Sequence, residues 1–245
     1  MAQSKVRASL FITCLGDQFF PLVGESVVAV LRRLGVEVDF NPAQTCCGQP
    51  AFNSGFRDEA RQVASRVLDL FRDAEYVVAP SGSCTSMIRV FYPELFAGDP
   101  ERLRQAEELR GRVYEFSEFL VKVLNVEDVG ASFRRRVTYH DSCHLLRELG
   151  IESEPRKLLG AVRGLEVVEM KDNRLCCGFG GTFSVKFPEV SVAMAEDKLR
   201  AAADSGAEII VANDSGCLMH LAGVIHRRGL QLRTMHLAEL LAKQE

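Results

Sequence analysis

The sequence predicts an α/β protein made of two pseudo-symmetric Rossmann-like βαβ units, each with a parallel sheet and its own cysteine site. Three observations carry this. Short apolar runs alternate with helix-length amphipathic stretches along the 245 residues. All eight cysteines fall into one pattern written twice: Cys14, Cys46-Cys47-Gly48 and Cys84, then Cys143, Cys176-Cys177-Gly178 and Cys217. Finally, each cysteine or cysteine pair follows shortly after an expected strand, the edge where ligands sit in parallel sheets.

The elements can be read in order. Ala8–Thr13 is a short apolar run ending at Cys14. Val23, Val27, Val30, Leu31 and Leu34 recur at helical spacing until Gly35 stops them. Val36–Phe40 alternates as a strand and leads to the first cysteine pair. Arg57–Phe71 is helical, with Val63, Val67, Leu70 and Phe71 on one face, and Tyr76–Ala79 is a strand ending before Ser81–Cys84. The second half repeats the plan with strands at Val137–Tyr139, Leu165–Met170 and Glu208–Ala212, and a helix over Val190–Ala203. Each half thus reads as three strands and three helices. Asp99–Val129 reads as one or two connecting helices without a counterpart of similar length after Cys217. The expected division is a first cysteine-rich unit with its connecting helices over 1–128 and a second over 129–245.

Composition narrows the function classes. Hydrophobic residues make up 47% and charged residues 26%, with a net charge of −3. This is an ordinary soluble balance, with no basic surface for nucleic acid. No apolar run approaches a membrane span. Lys5 and Arg7 precede only Leu10-Phe11-Ile12, too short for the apolar core of a signal peptide. The expected compartment is the cytoplasm, where thiols stay reduced, and that argues against a disulfide framework.

The spacing is what gives the cysteines meaning. From the first Cys to the pair lie 31 and 32 residues in the two copies, and from the pair to the last Cys 36 and 39. Thiolates are soft ligands for zinc and iron–sulfur clusters. Cys14, Cys46, Cys47 and Cys84 form one candidate metal set; Cys143, Cys176, Cys177 and Cys217 form the other. Adjacent side chains diverge in an extended chain, so the backbone must turn sharply for both to serve one group. Gly48 and Gly178 supply that freedom. Structural zinc favours Cys-x2-Cys over an adjacent pair, which tilts the reading toward iron–sulfur and keeps zinc as the alternative. A redox disulfide is a third reading.

Other residues take the blander interpretation. His140 and His144 flank Cys143 and are read as structural hydrogen-bonding groups rather than ligands, since the first half has no histidine near Cys14. His220, three residues after Cys217, has Met87 as its counterpart. Gly178-Phe179-Gly180-Gly181 lacks the ending of a phosphate loop and the spacing of a dinucleotide fingerprint, so close backbone packing is expected there. Thr182 or Ser184 would cap the next helix. Arg134-Arg135-Arg136 reads as solvated.

The paired motifs, together with Pro80-Ser81-Gly82-Ser83-Cys84, His140-Asp141-Ser142-Cys143-His144-Leu145 and Cys176 through Val185, resemble the duplicated cysteine-rich CCG domain. That domain occurs in the cysteine-rich component of heterodisulfide reductase and in iron–sulfur subunits of glycolate and glycerol-3-phosphate dehydrogenases. The subfamily resembled is that of lactate utilisation protein A, and the likeness covers nearly the whole chain. It implies an iron–sulfur electron-transfer subunit of an L-lactate oxidising complex, with one cluster per half, of [4Fe–4S] type. It also implies iron–sulfur partner subunits of the lactate utilisation B and C types and a peripheral link to the respiratory chain. The full family motif ends in Cys-x2-Cys, giving five thiolates per copy. Here Ser81 and Asp214 stand where the first of those last cysteines is expected, so both are candidate cofactor-binding positions that should face the thiols. Two rivals stay open: a thiol–disulfide oxidoreductase resembling that heterodisulfide reductase component, and a non-redox zinc protein. No catalytic residue is assigned.

Overall fold

The computed structural model describes residues 5–245. It contains two four-stranded, all-parallel sheets. The first is ordered β2-β1-β3-β4, from β1 (Arg7–Leu10), β2 (Glu37–Asp39), β3 (Tyr76–Ala79) and β4 (Val113–Glu115). The second is ordered β6-β5-β7-β8, from β5 (Arg136–Tyr139), β6 (Glu166–Val167), β7 (Ile209–Ala212) and β8 (Arg233–His236). The two orders are the same once the repeat is taken into account. In each, the first and third strands are central and buried, and the second is short and at the edge.

The α/β duplication is as the sequence predicts, with one addition. Each half has four strands rather than three. Val113–Glu115 lies inside the stretch read as connecting helix, and its counterpart Arg233–His236 follows Cys217. Each of these fourth strands leads into a short helical segment: Phe116–Glu118 continuing as the wide turn Phe119–Val123, and Leu237–Ala242. The segment between the halves is therefore partly the end of the first unit.

These final helices also tie the halves together. Leu237–Ala242 packs on helix Pro21–Arg33 of the first half, and Phe116–Glu118 packs on helix Ser153–Gly160 of the second. One continuous apolar core includes Val27, Leu31, Phe116, Phe119, Leu120, Tyr139, Leu158, Leu237 and Leu241. Arg33 reinforces the crossing by donating from its guanidinium to the carbonyls of Val129, Leu241 and Ala242 at 3.0–3.3 Å. A second core under the first sheet and a third under the second back the two cysteine sites, and take in Cys47 and Cys84, and Cys177 and Cys217, respectively.

Candidate metal centre

Parallel topology brings three loops of each half to the carboxyl edge of its sheet. Cys14 opens the short helix Cys14–Phe19 after β1, the first pair follows β2, and Cys84 lies in helix Gly82–Ser86 after β3. At that edge Cys14 Sγ is 3.7 Å from Cys46 Sγ, and Cys47 Sγ is 3.3 Å from Cys84 Sγ. Cys46 and Cys47 are themselves in side-chain contact, so the four thiols form a chain. The second half repeats it as Cys143, Cys176, Cys177 and Cys217. All eight thiols are free.

The turn at each pair depends on glycine. Gly48 has φ +87° and Gly178 φ +90°, a region that costs an L-residue strain. Each glycine also donates its N–H to the sulfur two residues back, at 3.4 Å on Cys46 and on Cys176. Donors favour a thiolate. Cys46 and Cys176 accordingly sit well below the usual thiol range, first because Cys14 or Cys143 donates to them, then because the neighbouring Cys and the glycine do. Cys14, Cys143, Cys47 and Cys177 are pushed up, each chiefly because it donates to a neighbouring sulfur.

Ser81 and Asp214 meet each other. Ser81 Oγ donates to Asp214 Oδ1 at 2.7 Å, across the boundary between the halves, and accepts from the Cys84 N–H at 3.2 Å. Asp214 Oδ1 also receives Ser83 N–H at 3.1 Å and Ser83 Oγ at 2.8 Å. Both residues are buried, but Ser81 is taken up by a helix cap and a cross-half bond. Asp214 Oδ2 is buried and has no partner among the described residues, and its charge helps raise Cys143.

The remaining sequence-level expectations divide. His220 holds Ser191, through its hydroxyl at 3.1 Å and its carbonyl at 3.2 Å, and the Ser191 hydroxyl donates to Gly178 O. The buried His140 ring has no oxygen or nitrogen partner among the described residues and lies beside the Cys217 sulfur, so it does not hold the Cys143 loop by a hydrogen bond and the structural reading of this residue is corrected. Thr182 precedes helix Phe183–Lys186 without a side-chain cap, and Ser184 donates to Gly181 O instead. Thr182 Oγ1 lies 3.3 Å from Ser54 Oγ, so the segments following the two cysteine pairs touch.

Three residues escaped the sequence reading. Lys198 is buried beneath the second pair and donates to the carbonyls of Asp172 and Asn173, pinning the approach to Cys176. Burial lowers its ammonium to about 8. Glu115 and His236 end the equivalent strands β4 and β8, and each caps the helix that follows. Glu115 accepts from Asn213 at 3.0 Å, while His236 lies within hydrogen-bond distance of the carbonyls of Pro80 and Asn213. Superposing the repeats through the end of the fourth strand would have exposed that pair.

The matches to known proteins agree with this geometry. Residues 8–89 and 137–222 match the cysteine-rich CCG domain. The chain is 47% identical to lactate utilization protein A of Bacillus subtilis over 236 residues, covering 96% of this chain and 99% of that one. It belongs to the lactate utilization protein A family. Members from Geobacillus kaustophilus and an Exiguobacterium species are 48% and 49% identical, again over 96% of this chain and 98% and 96% of theirs. A hypothetical protein from Helicobacter pylori of known structure shares the fold, with TM-score 0.68 at 12% identity, over 98% of this chain and 49% of that one. The family's cysteine-rich domain and the clustered cysteines together point to metal binding. Among the described residues, no helix is long and apolar enough to cross a membrane.

The donor set fits such a group. Two sets of four reduced thiols converge, with backbone N–H groups aimed at sulfur. Around the second set, Asp214 Oδ2, Ser142 Oγ, Ser215 Oγ, His144 Nδ1 and both nitrogens of His140 are buried without oxygen or nitrogen partners among the described residues. Orphaned polar atoms in that number are costly unless something binds them.

Proposed function

We propose that this chain is an iron–sulfur electron-transfer subunit of an L-lactate oxidising system, with one cluster held in each half. The observation that carries the reading is the pair of four-thiol chains at equivalent sheet edges, each built on an adjacent Cys pair and a left-handed glycine. Lactate as the substrate of the system is supported by the name of the family's curated members.

In the first half Cys14, Cys46, Cys47 and Cys84 would hold the group, and in the second Cys143, Cys176, Cys177 and Cys217. A bound cluster supplies one-electron storage, at a potential set by its ligands, by hydrogen bonds to sulfur and by burial. The chain's own residues set those terms. Gly48 and Gly178 turn the pairs and donate to sulfur, Lys198 fixes the second approach, and the apolar cores beneath Cys47, Cys84, Cys177 and Cys217 exclude water. Electrons then enter and leave through protein partners, of the lactate utilisation B and C types. Phe56, Val185 and Phe187, on the chain segments that follow the two pairs, are more than half exposed and suit such contacts. A cytoplasmic location, with a peripheral link to respiration, follows from the same reading.

Anaerobic purification followed by iron, acid-labile sulfide and zinc analysis tests this. Iron with sulfide and broad visible absorption are expected, together with no L-lactate oxidation by the isolated chain and turnover by the reconstituted complex. Zinc alone would establish the scaffold reading instead. Lactate turnover by the isolated chain would overturn the relay role.

A further inference from the structure

The two halves share a backbone plan but not a chemistry at the sulfur. His140 follows β5 as Phe11 follows β1: the His140 N–H bonds to Val211 O at 2.8 Å, and the Phe11 N–H to Val78 O at 2.9 Å. In the first half that place is apolar, with Phe11 fully buried against Phe71 at 5.7 Å between ring centroids. In the second half it holds an imidazole that is 0% exposed, with no oxygen or nitrogen partner on either ring nitrogen among the described residues and the Cys217 sulfur beside it. A ring nitrogen of His140 and the sulfurs of Cys177 and Cys217 all lie within 4.8 Å of one another. A fully buried imidazole with two unmet nitrogens carries a desolvation penalty that a bound cation would offset at the ligating nitrogen. It also faces a row of soft ligands to which it adds a nitrogen of intermediate character.

We propose that His140 is a ligand of the group held in the second half, beside Cys177 and Cys217, so that the first site is all-sulfur and the second mixes sulfur with nitrogen. The proposal rests on the reading that the thiol sets bind metal, and it adds which side chain completes one of them. Three of the other four histidines are excluded by their contacts or position. His220 is engaged by Ser191, His236 is held at the helix cap and by two carbonyls, and His226 lies in the last turn of helix Ser215–Arg228, beyond Cys217. His144 keeps one unmet nitrogen and is the competitor to test.

The test uses the full chain in two arms. All five histidines lie after residue 139, so any histidine nitrogen seen on a metal belongs to the second half. In the first arm the chain carries 15N-labelled histidine, is loaded anaerobically with iron and sulfide, reduced, and measured by pulsed EPR. A strongly coupled nitrogen that changes with the label is expected, lost in His140→Phe and kept in His144→Phe and His220→Phe. In the second arm, metal-free chain is titrated with Co2+ alone. His140→Phe should shift the d–d bands and weaken the tighter histidine-dependent binding by at least about 10-fold, the loss that even supporting residues of metal ligands produce. Phenylalanine is what the first half carries at this place, and the labelling arm needs no substitution.

Absence of a histidine nitrogen in the labelled wild type overturns the proposal. So does its persistence in His140→Phe, its loss in His144→Phe alone, or a Co2+ spectrum that His140→Phe leaves unchanged. A chain that takes up no iron or sulfide defeats the electron-transfer reading, and the Co2+ arm then still decides on His140. Failure of the wild type to bind Co2+ would count against both.

Discussion

The surroundings of the first cysteine set are apolar where those of the second are polar. Aligned through the cysteine pairs and their helices, Phe11 corresponds to His140, Leu15 to His144, Ala60 to Ser191, Val67 to Lys198, Ser81 to Asp214 and Met87 to His220. The equivalence of Ala60 and Ser191 is visible in space, because a Cβ on Gly48 would meet Ala60 O and one on Gly178 would meet Ser191 O. Six of the seven buried, unpartnered side-chain atoms among the described residues belong to the second half. The lesson is that a duplicated frame can keep its thiols in register while the field around them diverges. Four thiolates with apolar walls resist taking on further negative charge. Around the second set the Lys198 ammonium favours added negative charge and the Asp214 carboxylate opposes it, so the two fields differ in polarity as well as in walls.

The largest effect expected is loss of the pair itself. Cys176→Ala removes a thiolate that accepts from Gly178 and from both neighbouring thiols. It should abolish activity of the complex and about half of the iron bound per chain. Cys46→Ala should strip the other half. Full retention of iron and activity in either variant would break the equivalence of the sites.

Next come the glycines, which should behave unequally. Both need the left-handed region, a cost of about 1–3 kcal/mol for alanine. An alanine Cβ would lie 3.3 Å from Ala60 O at position 48 but 2.4 Å from Ser191 O at position 178. Gly178→Ala should therefore lose clearly more stability in urea than Gly48→Ala. Equal losses would mean that helix Pro188–Asp204 yields more easily than its hydrogen bonds suggest.

Much of this comparison was legible in the sequence. The cysteine spacing and the strand at Tyr76–Ala79 were readable because short apolar runs and thiols are strong local signals. The helix Arg57–Leu70 was readable from its 3.6-residue stripe. The fourth strands were not. Val113-Tyr114-Glu115 is three residues long and sits in a pattern that also fits a helix, and Arg233–His236 begins and ends on polar residues. Pairing with β3 and β7, a long-range effect, makes them strands. His140 was misread because its counterpart Phe11 was passed over. An apolar residue facing a histidine at the same step of a repeat marks divergence, and only the fold reveals that the histidine has sulfur rather than an oxygen or nitrogen partner beside it.

A smaller effect concerns the boundary between the halves, where Glu115 and His236 play matching parts with opposite acid–base character. Burial raises Glu115 to about 7 and lowers His236. For Glu115 the folded pKa lies above the unfolded one, so its contribution to stability is fully present below the unfolded value and is lost as pH rises through about 7. Between pH 5 and 8 this group alone should remove about 2–3 kcal/mol from the metal-free chain. Glu115→Gln should flatten that part of the profile in urea unfolding. A wild-type profile that is already flat from pH 5 to 8 would show that Asn213 and Ser117 hold the carboxylate ionised.

The smallest effect expected is at Ser81, and it separates the two candidate fifth positions. Ser81 Oγ accepts the Cys84 N–H and donates to Asp214, so Ser81→Ala removes a helix cap and one of three donors on Asp214 Oδ1. Lost caps cost about 1 kcal/mol, and the two Ser83 donors still hold Asp214 in place. Ser81→Ala should thus lower stability by about that amount while leaving metal content of both halves unchanged. Asp214→Ala should behave differently. It frees three donors at the boundary and removes the unpartnered Oδ2 from the polar second site, so its loss of bound metal should fall in that half alone. Iron and sulfide per chain, read beside urea midpoints for both variants, check the contrast. Metal loss from Ser81→Ala equal to that from Asp214→Ala would mean that the serine and the aspartate do the same work, and that the two sites differ less than their surroundings imply.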